Sequence, residues 1–207
     1  MESDIAMSEI PRDPALAGVI LAGGKNRRML GRYKGSLRTP DGKAFAVHIS
    51  DEMHRMTDLV YISFGETVQE EIEGCRIVRD QYKNCGPLGG LHAAMKAAAE
   101  NGMELIMTAA CDMPFVKAEL FSYLYEQMGS YEGAVARSGG KVHPLAAIYS
   151  VKAVEVFGKQ LESGDYRLLD ALNKLKINYV DLEGTPFLRM MININTEEEY
   201  AGLDDMR

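Results

Sequence analysis

Gly18-Val-Ile-Leu-Ala-Gly-Gly-Lys-Asn-Arg-Arg-Met-Leu-Gly-Arg-Tyr-Lys34 decides how the rest of the chain is read. Its apolar opening, Ala17 to Ala22, is a short continuous run bounded by glycine, the pattern of a buried strand. Gly23 and Gly24 then free the backbone to turn sharply and to approach a ligand closely. Lys25, Arg27, Arg28, Arg32, Lys34 and Arg38 follow with no acidic residue among them. A buried strand that opens through a glycine turn into a cationic loop meets the needs of a polyphosphate. Backbone N–H groups cradle the phosphates and side-chain cations neutralise them. The stretch is neither Gly-x-x-x-x-Gly-Lys-Ser/Thr nor Gly-x-Gly-x-x-Gly, so it is not the P-loop or the dinucleotide fingerprint. Taken alone it also fits a solvated basic loop after an ordinary strand.

Outward from this stretch, strands alternate with helices. Ala44 to Met56 carries apolar residues near helical spacing, with His48 and His54 on it as structural or solvated residues. Asp58 to Phe64 reads as a second strand, followed by a glycine turn and an acidic helical piece. Cys75 to Arg79 is a third strand, ending at Asp80. Gly86-Pro-Leu-Gly-Gly90 then reads as a rigid turn feeding a helix from Leu91 to Glu100. Met103 to Ala110 is a fourth strand that runs into Cys111-Asp112-Met113-Pro114-Phe115. In an open α/β sheet the ligand crevice lies outside the carboxyl ends of the strands, where Asp112 falls. A carboxylate there either holds Mg²⁺ with phosphate oxygens and water or caps the next helix, Lys117 to Met128.

Gly133 to Ser138 and Lys141 to Tyr149 read as a hairpin around Gly139-Gly140, with Arg137, Lys141 and His143 lining one region. Val151 to Ser163 and Tyr166 to Leu175 are helical, with Asp165 as a cap for the second and Arg167 in its first turn facing an anion. Lys176 to Leu182 is a strand. In Asn193-Ile-Asn195-Thr196-Glu-Glu-Glu-Tyr200 the two asparagines point the same way by strand alternation, and Thr196 caps a short helix. The expected fold is therefore α/β: a three-layer, Rossmann-like, mostly parallel mixed sheet with helices on both faces and one antiparallel hairpin element. Residues 1–15 are expected to be a flexible tail and residues 16–207 a single domain.

Several blocks carry a family resemblance. Leu21-Ala-Gly-Gly24, Arg28-Met29 and Lys34-Gly35 resemble the Leu-x-Gly-Gly-x-Ser-x-Arg-Met-Gly-x-x-Asp-Lys loop of nucleotidyltransferases. The chain is most similar to the molybdenum cofactor guanylyltransferase (molybdopterin-guanine dinucleotide synthase) family. Asn26, Leu30 and Tyr33 stand where that loop has serine, glycine and an acidic residue. Asp80 with Gly86 to Gly90, Cys111 to Phe115, and Asn193 to Glu199 resemble further blocks, the last with Glu197 in place of a proline.

The resemblance implies transfer of GMP from GTP to the phosphate of molybdopterin, with Mg²⁺ as cofactor. By position, Leu21, Ala22, Gly23, Gly24, Lys34, Asp80, Leu88, Gly89 and Asp112 would contact the nucleotide. Arg28, Lys34 and Asp112 would be catalytic, Asp112 would hold the metal, and His143, Asn193 and Asn195 would meet the acceptor. Rival readings are another nucleotidyltransferase, using CTP with molybdopterin or a sugar phosphate, and a nucleotide-binding scaffold without catalysis. Transient contact with cofactor-insertion proteins and molybdoenzymes follows from the same resemblance.

Composition agrees with this class. The 207 residues are 46% apolar and 26% charged, which suits a folded globular chain rather than a disordered one. The net charge of −7, with cations concentrated in one loop, argues for a local anion site and against a nucleic-acid surface. No apolar stretch reaches the length of a membrane span, and the N-terminus lacks the basic-then-apolar order of a signal peptide. Three cysteines, Cys75, Cys85 and Cys111, without a Cys-x-x-Cys pair give neither a disulfide framework nor a zinc site, and point to the reducing cytoplasm.

Overall fold

The structure, a computed structural model, describes residues 10–23, 33–65 and 69–206. Seven strands form one sheet: β1 (Leu16–Leu21), β2 (Val60–Ser63), β3 (Cys75–Val78), β4 (Leu105–Ala110), β5 (Gly133–Ser138), β6 (Lys141–Ser150) and β7 (Ile177–Asp181). Their order is β3-β2-β1-β4-β6-β5-β7. Every pairing is parallel except the two made by β6, which runs against β4 and β5. The expected mixed sheet with one antiparallel hairpin element is the observed one.

The helices are α1 (Phe45–His54), α2 (Gly86–Glu100), α3 (Ala118–Met128), α4 (Val154–Glu162), α5 (Leu168–Leu172) and α6 (Glu197–Ala201). Alternate residues of each central strand enter different cores. Leu16, Ile20, Met107, Ala109 and Ile148 pack with α1 and α3, whereas Ala17, Val19, Leu21, Ile106 and Tyr149 pack with α2, α4 and α5. Burial on both faces is why β1 reads as an unbroken apolar run. A third, smaller cluster of Leu37, Phe45, Ile194 and Leu203 fastens the C-terminal segment over the start of α1.

Several local expectations are revised. Residues 10–15 are tied to the domain: Asp13 accepts from Tyr125 Oη (2.9 Å), and its N–H donates to Met56 O (3.2 Å). Residues 1–9 lie outside the described residues. No helix forms over 69–74, because Glu70, Glu71 and Glu73 are exposed and only Ile72 is buried, leaving no apolar stripe to pack. Helix α2 begins at Gly86 rather than Leu91, with Pro87 in its first turn, where its missing N–H costs nothing. The second helix after the hairpin shortens to Leu168–Leu172, and its N-cap is Arg167 rather than Asp165. Asp165 instead accepts from Arg167 N (3.1 Å) before the helix starts. Among the described residues no helix is long and apolar enough to cross a membrane.

Candidate active site

Because β1 and β4 are adjacent and parallel, the chain leaves both strands at the same carboxyl edge. The junction is stitched by backbone bonds: Cys111 N donates to Leu21 O (3.0 Å) and Ala22 N to Ser63 O (2.7 Å). Beyond β1 the glycine turn and basic loop follow. Gly24 and Arg28 lie outside the described residues, which resume at Tyr33. Lys34 opens a single 3-10 turn, Lys34–Ser36, whose first carbonyl, Tyr33 O, accepts from Ser36 N (3.1 Å) and Ser36 Oγ (2.8 Å).

Four of the sequence-predicted residues meet here. Lys34 Nζ lies 2.9 Å from Asp112 Oδ2 and donates to Asn195 Oδ1 at 2.8 Å. Asn193 Nδ2 donates to Asp112 Oδ1 at 2.8 Å. The side chains of Lys34 and Asp112 are 15% and 16% exposed, so the pair is largely shielded yet reachable from solvent. The asparagines sit on an extended, unpaired segment, not in a strand, but alternation still sends both toward the same cluster. Ile194, between them, points the other way into the third core and donates its N–H to Asp112 O (2.9 Å).

Glu199 holds the turn that follows. Its Oε2 accepts from both Asn195 N (2.6 Å) and Thr196 N (3.0 Å), while Thr196 Oγ1 accepts from Glu199 N (3.1 Å). This is a complete capping box at the start of α6. The sequence analysis singled out Thr196 alone, although the Thr-x-x-Glu spacing carries the signal for Glu199.

A second group gathers where β2, β3 and α2 converge. Asp80 Oδ1 accepts from Ser63 Oγ (2.7 Å). Burial raises the Asp80 carboxyl above its ordinary value, with the Ser63 bond opposing. Ser63 carried no sequence signal, being one apolar-flanked residue at a strand end. Of the glycines of α2, Gly89 and Gly90 are crowded, whereas Gly86 at its start is open. A Cβ on Gly90 would stand 2.7 Å from Ser63 Oγ, and one on Gly89 3.0 Å from Tyr82 O. Their bareness lets the helix lie close on the sheet. Leu88 is fully buried and Leu21 and Ala22 nearly so, so these positions offer a ligand chiefly main-chain groups. Gly23 is exposed.

His143 stands on β6, which begins at the same carboxyl edge. The β4–β6 register runs as far as Thr108 with Ala147; β6 then bulges, and His143 pairs with Ala136 of β5, one step beyond Val135 toward the carboxyl edge where Asp112 lies. Ser138 Oγ and His143 Nε2 are 2.8 Å apart, and burial pushes the imidazole below its ordinary pKa. Arg137 does not join it. The two-residue turn pairs Arg137 with Val142 and Ala136 with His143, which puts Arg137 on the opposite face, in an ion pair with Asp181 (2.9 Å). Arg167 is likewise committed, to Asp165 and Asp170. Next to Asp112, burial and the neighbouring carboxylate push the Cys111 thiol up to about 12, so it stays protonated and inert.

A lysine, a carboxylate and two amides thus gather at the carboxyl edge of β1 and β4, an arrangement suited to an α/β nucleotidyltransferase. Comparison with known proteins gives the family. The family model described as the MobA-like NTP transferase domain matches residues 18–176, and the chain belongs to that family. It is 33% identical over 188 residues to the probable molybdenum cofactor guanylyltransferase of Pelotomaculum thermopropionicum, covering 89% of each chain. It is 30% identical over 192 residues to the molybdenum cofactor guanylyltransferase of Cereibacter sphaeroides, covering 92% of this chain and 96% of that one. In fold it is similar to the crystal structure of molybdopterin-guanine dinucleotide biosynthesis protein A from Archaeoglobus fulgidus. The TM-score is 0.74 at 22% identity, over 92% of this chain and 97% of that one.

Proposed function

We propose that the protein transfers GMP from GTP to the phosphate of molybdopterin and releases pyrophosphate. An acceptor phosphate oxygen bonds to the α-phosphorus. The bond from that phosphorus to the α–β bridging oxygen breaks, and its electron pair leaves with pyrophosphate. The acceptor is already largely ionised at neutral pH, so the chain need not supply a general base. Its task is alignment and charge neutralisation.

The observation that carries this reading is the convergence of Lys34, Asp112, Asn193 and Asn195 on the carboxyl edge beside the glycine turn. The names of the curated relatives supply the base and the acceptor. Lys34, with Arg28 from the basic loop, neutralises the triphosphate and the departing pyrophosphate. The main chain at Leu21, Ala22, Gly23 and Gly24 and the groups around Asp80, Leu88 and Gly89 take the nucleoside. Asn193, Asn195 and a neutral His143 orient the acceptor by hydrogen bonds.

One carboxylate, with the Asn195 amide oxygen on the same lysine, suits Mg²⁺, which takes one or two carboxylates and fills its shell with phosphate oxygens and water. That Asp112 already pairs with the Lys34 ammonium at 2.9 Å supports a place for positive charge at this carboxylate. Asp112 would hold the metal, which when bound draws charge from the phosphate oxygens. We place the reaction in the cytoplasm, where the three free thiols stay reduced and the product passes to cofactor-insertion proteins and molybdoenzymes.

Calorimetric titration with GTP, CTP and ATP, each with and without Mg²⁺, tests the reading alongside Asp112→Ala and a pyrophosphate-release assay with molybdopterin. GTP preference, Mg²⁺ dependence and loss of both in the variant are expected. A preference for CTP would change the product, and saturable binding without release would reduce the protein to a nucleotide binder.

A further inference from the structure

We infer that Arg189, held over the Phe115 ring, binds the phosphomonoester headgroup of the acceptor substrate. This deepens the transferase reading above and rests on it. The argument begins with the path of the chain. Leu182 N donates to Arg137 O in the last residues of β5, and Ile194 N donates to Asp112 O beyond the end of β4. Since β6 lies between β4 and β5, residues 182–194 must cross the carboxyl edge in front of β6. Phe187 and Met191 are buried in the α1–α3 core, with Phe187 against Tyr123 at 5.0 Å between ring centroids. The crossing therefore runs on the face that His143 shares with Ala136, whose side chain enters the same core.

Two contacts align this segment with the loop after β4. At one end Asn193 donates to Asp112; at the other the Arg189 guanidinium lies 5.1 Å from the Phe115 ring centroid. Phe115 is three residues past Asp112, which limits the separation of their Cα atoms to about 11 Å. Arg189 thus touches the loop that carries Asp112 and stands four residues before Asn193 on the same segment.

The manner of holding matters. Arg12, Arg55, Arg137 and Arg167 each pair with carboxylates, whereas the contact fixing the exposed Arg189 head is an aromatic face. A cation–π contact uses none of the guanidinium's hydrogen-bonding capacity and leaves its N–H fork to meet two oxygens of a phosphate. Lys34, by contrast, is shared between Asp112, Asn195 and, in the reading above, the triphosphate. An incoming phosphate dianion needs a cation of its own, and Arg189 supplies it.

The test uses the full chain with molybdopterin as the probe, titrated directly and then as acceptor with GTP, comparing wild type, Arg189→Ala and Arg189→Lys. Arg189→Ala is expected to weaken molybdopterin binding about tenfold or more, as loss of a charge-assisted bidentate contact does, with GTP affinity within twofold of wild type. Arg189→Lys keeps the charge but not the fork and recovers part of the loss. Equal molybdopterin affinity in wild type and Arg189→Ala, an equal loss of GTP affinity, or no binding by wild type overturns the assignment. Binding by wild type that Arg189→Ala weakens, without dinucleotide formation, supports the assignment of Arg189 and sinks the transferase reading alone.

Discussion

Removing the Glu199 carboxylate should separate the positioning of Lys34 from the stability of the fold. One oxygen, Oε2, takes the N–H groups of both Asn195 and Thr196, at 2.6 and 3.0 Å. Asn195 Oδ1 in turn holds Lys34 Nζ. In Glu199→Ala both donors lose their partner, and at about 1 kcal/mol net for each bond the local cost is about 2 kcal/mol. Helix α6 does not detach, because Tyr200 packs edge-on to Phe45 at 6.2 Å and Leu203 and Ile194 sit in the same small core. The loss is therefore local, and melting by calorimetry should shift by no more than about 8 °C, the value for a global loss of that size. Turnover should suffer more: a displacement of about 1 Å at a catalytic group costs roughly 100-fold. We expect pyrophosphate release by Glu199→Ala to fall ten- to 100-fold, at about those magnitudes. Since a single oxygen accepts both bonds, the amide oxygen of Glu199→Gln can replace it, and that variant should keep activity within about threefold. If Gln fares as badly as Ala, or if Ala turns over like wild type, the proposed link from the capping box to Lys34 is wrong.

Three further outcomes follow from the same geometry. Asp80→Asn should raise the melting temperature at pH 7, because burial disfavours the charged form and Ser63 can still donate to the amide oxygen, while nucleotide affinity measured by calorimetry falls. Acidification should destabilise the protein as pH drops below 6.5: His92 and His143 have lowered folded pKa values through burial, so the unfolded chain takes up protons first. That loss levels off once pH passes below the folded values, and urea titrations of His92→Gln should show a shallower dependence. Gly90→Ala, which sets a methyl 2.7 Å from Ser63 Oγ and 3.1 Å from Leu21 Cδ2, should cost about 1–3 kcal/mol in urea unfolding, and a neutral result would mean that α2 lies less tightly on the sheet.

How far the sequence reveals this architecture depends on whether the signal is local. The central strands are apolar runs buried on both faces, and Gly139-Gly140 between two alternating segments marks the hairpin, so sheet and hairpin are legible. The parity of the hairpin was legible too: a two-residue turn fixes Arg137 opposite Val142, which already separates it from His143. Helix boundaries were less so. Gly86-Pro87 resembles a break, yet proline is at home in a first helical turn, and the helix simply starts there. In Tyr166 to Leu175 the apolar periodicity overstates the helix, because Asp165 claims the N–H of Arg167 and the first regular turn waits until Leu168.

The active site is legible only in its pieces. Lys34 and Asp112 are 78 residues apart and Lys34 and Asn195 are 161 apart, distances over which no periodicity speaks. What joins them is the strand order, with β4 beside β1, and a C-terminal segment that returns across the carboxyl edge to close on Asp112. That return is driven by apolar anchors, Phe187, Met191, Ile194 and Leu203, none of which looks functional in sequence. The polar residues of the segment act because the apolar ones dock it. Substitutions at Ile194 should therefore disturb Asn193 and Asn195 together, since its side chain sits in the core and its N–H on Asp112 O. Measured by pyrophosphate release, Ile194→Ala should lose turnover out of proportion to its loss of nucleotide affinity. An equal loss of both would place the segment's role in binding the nucleotide rather than in aligning the reacting phosphates.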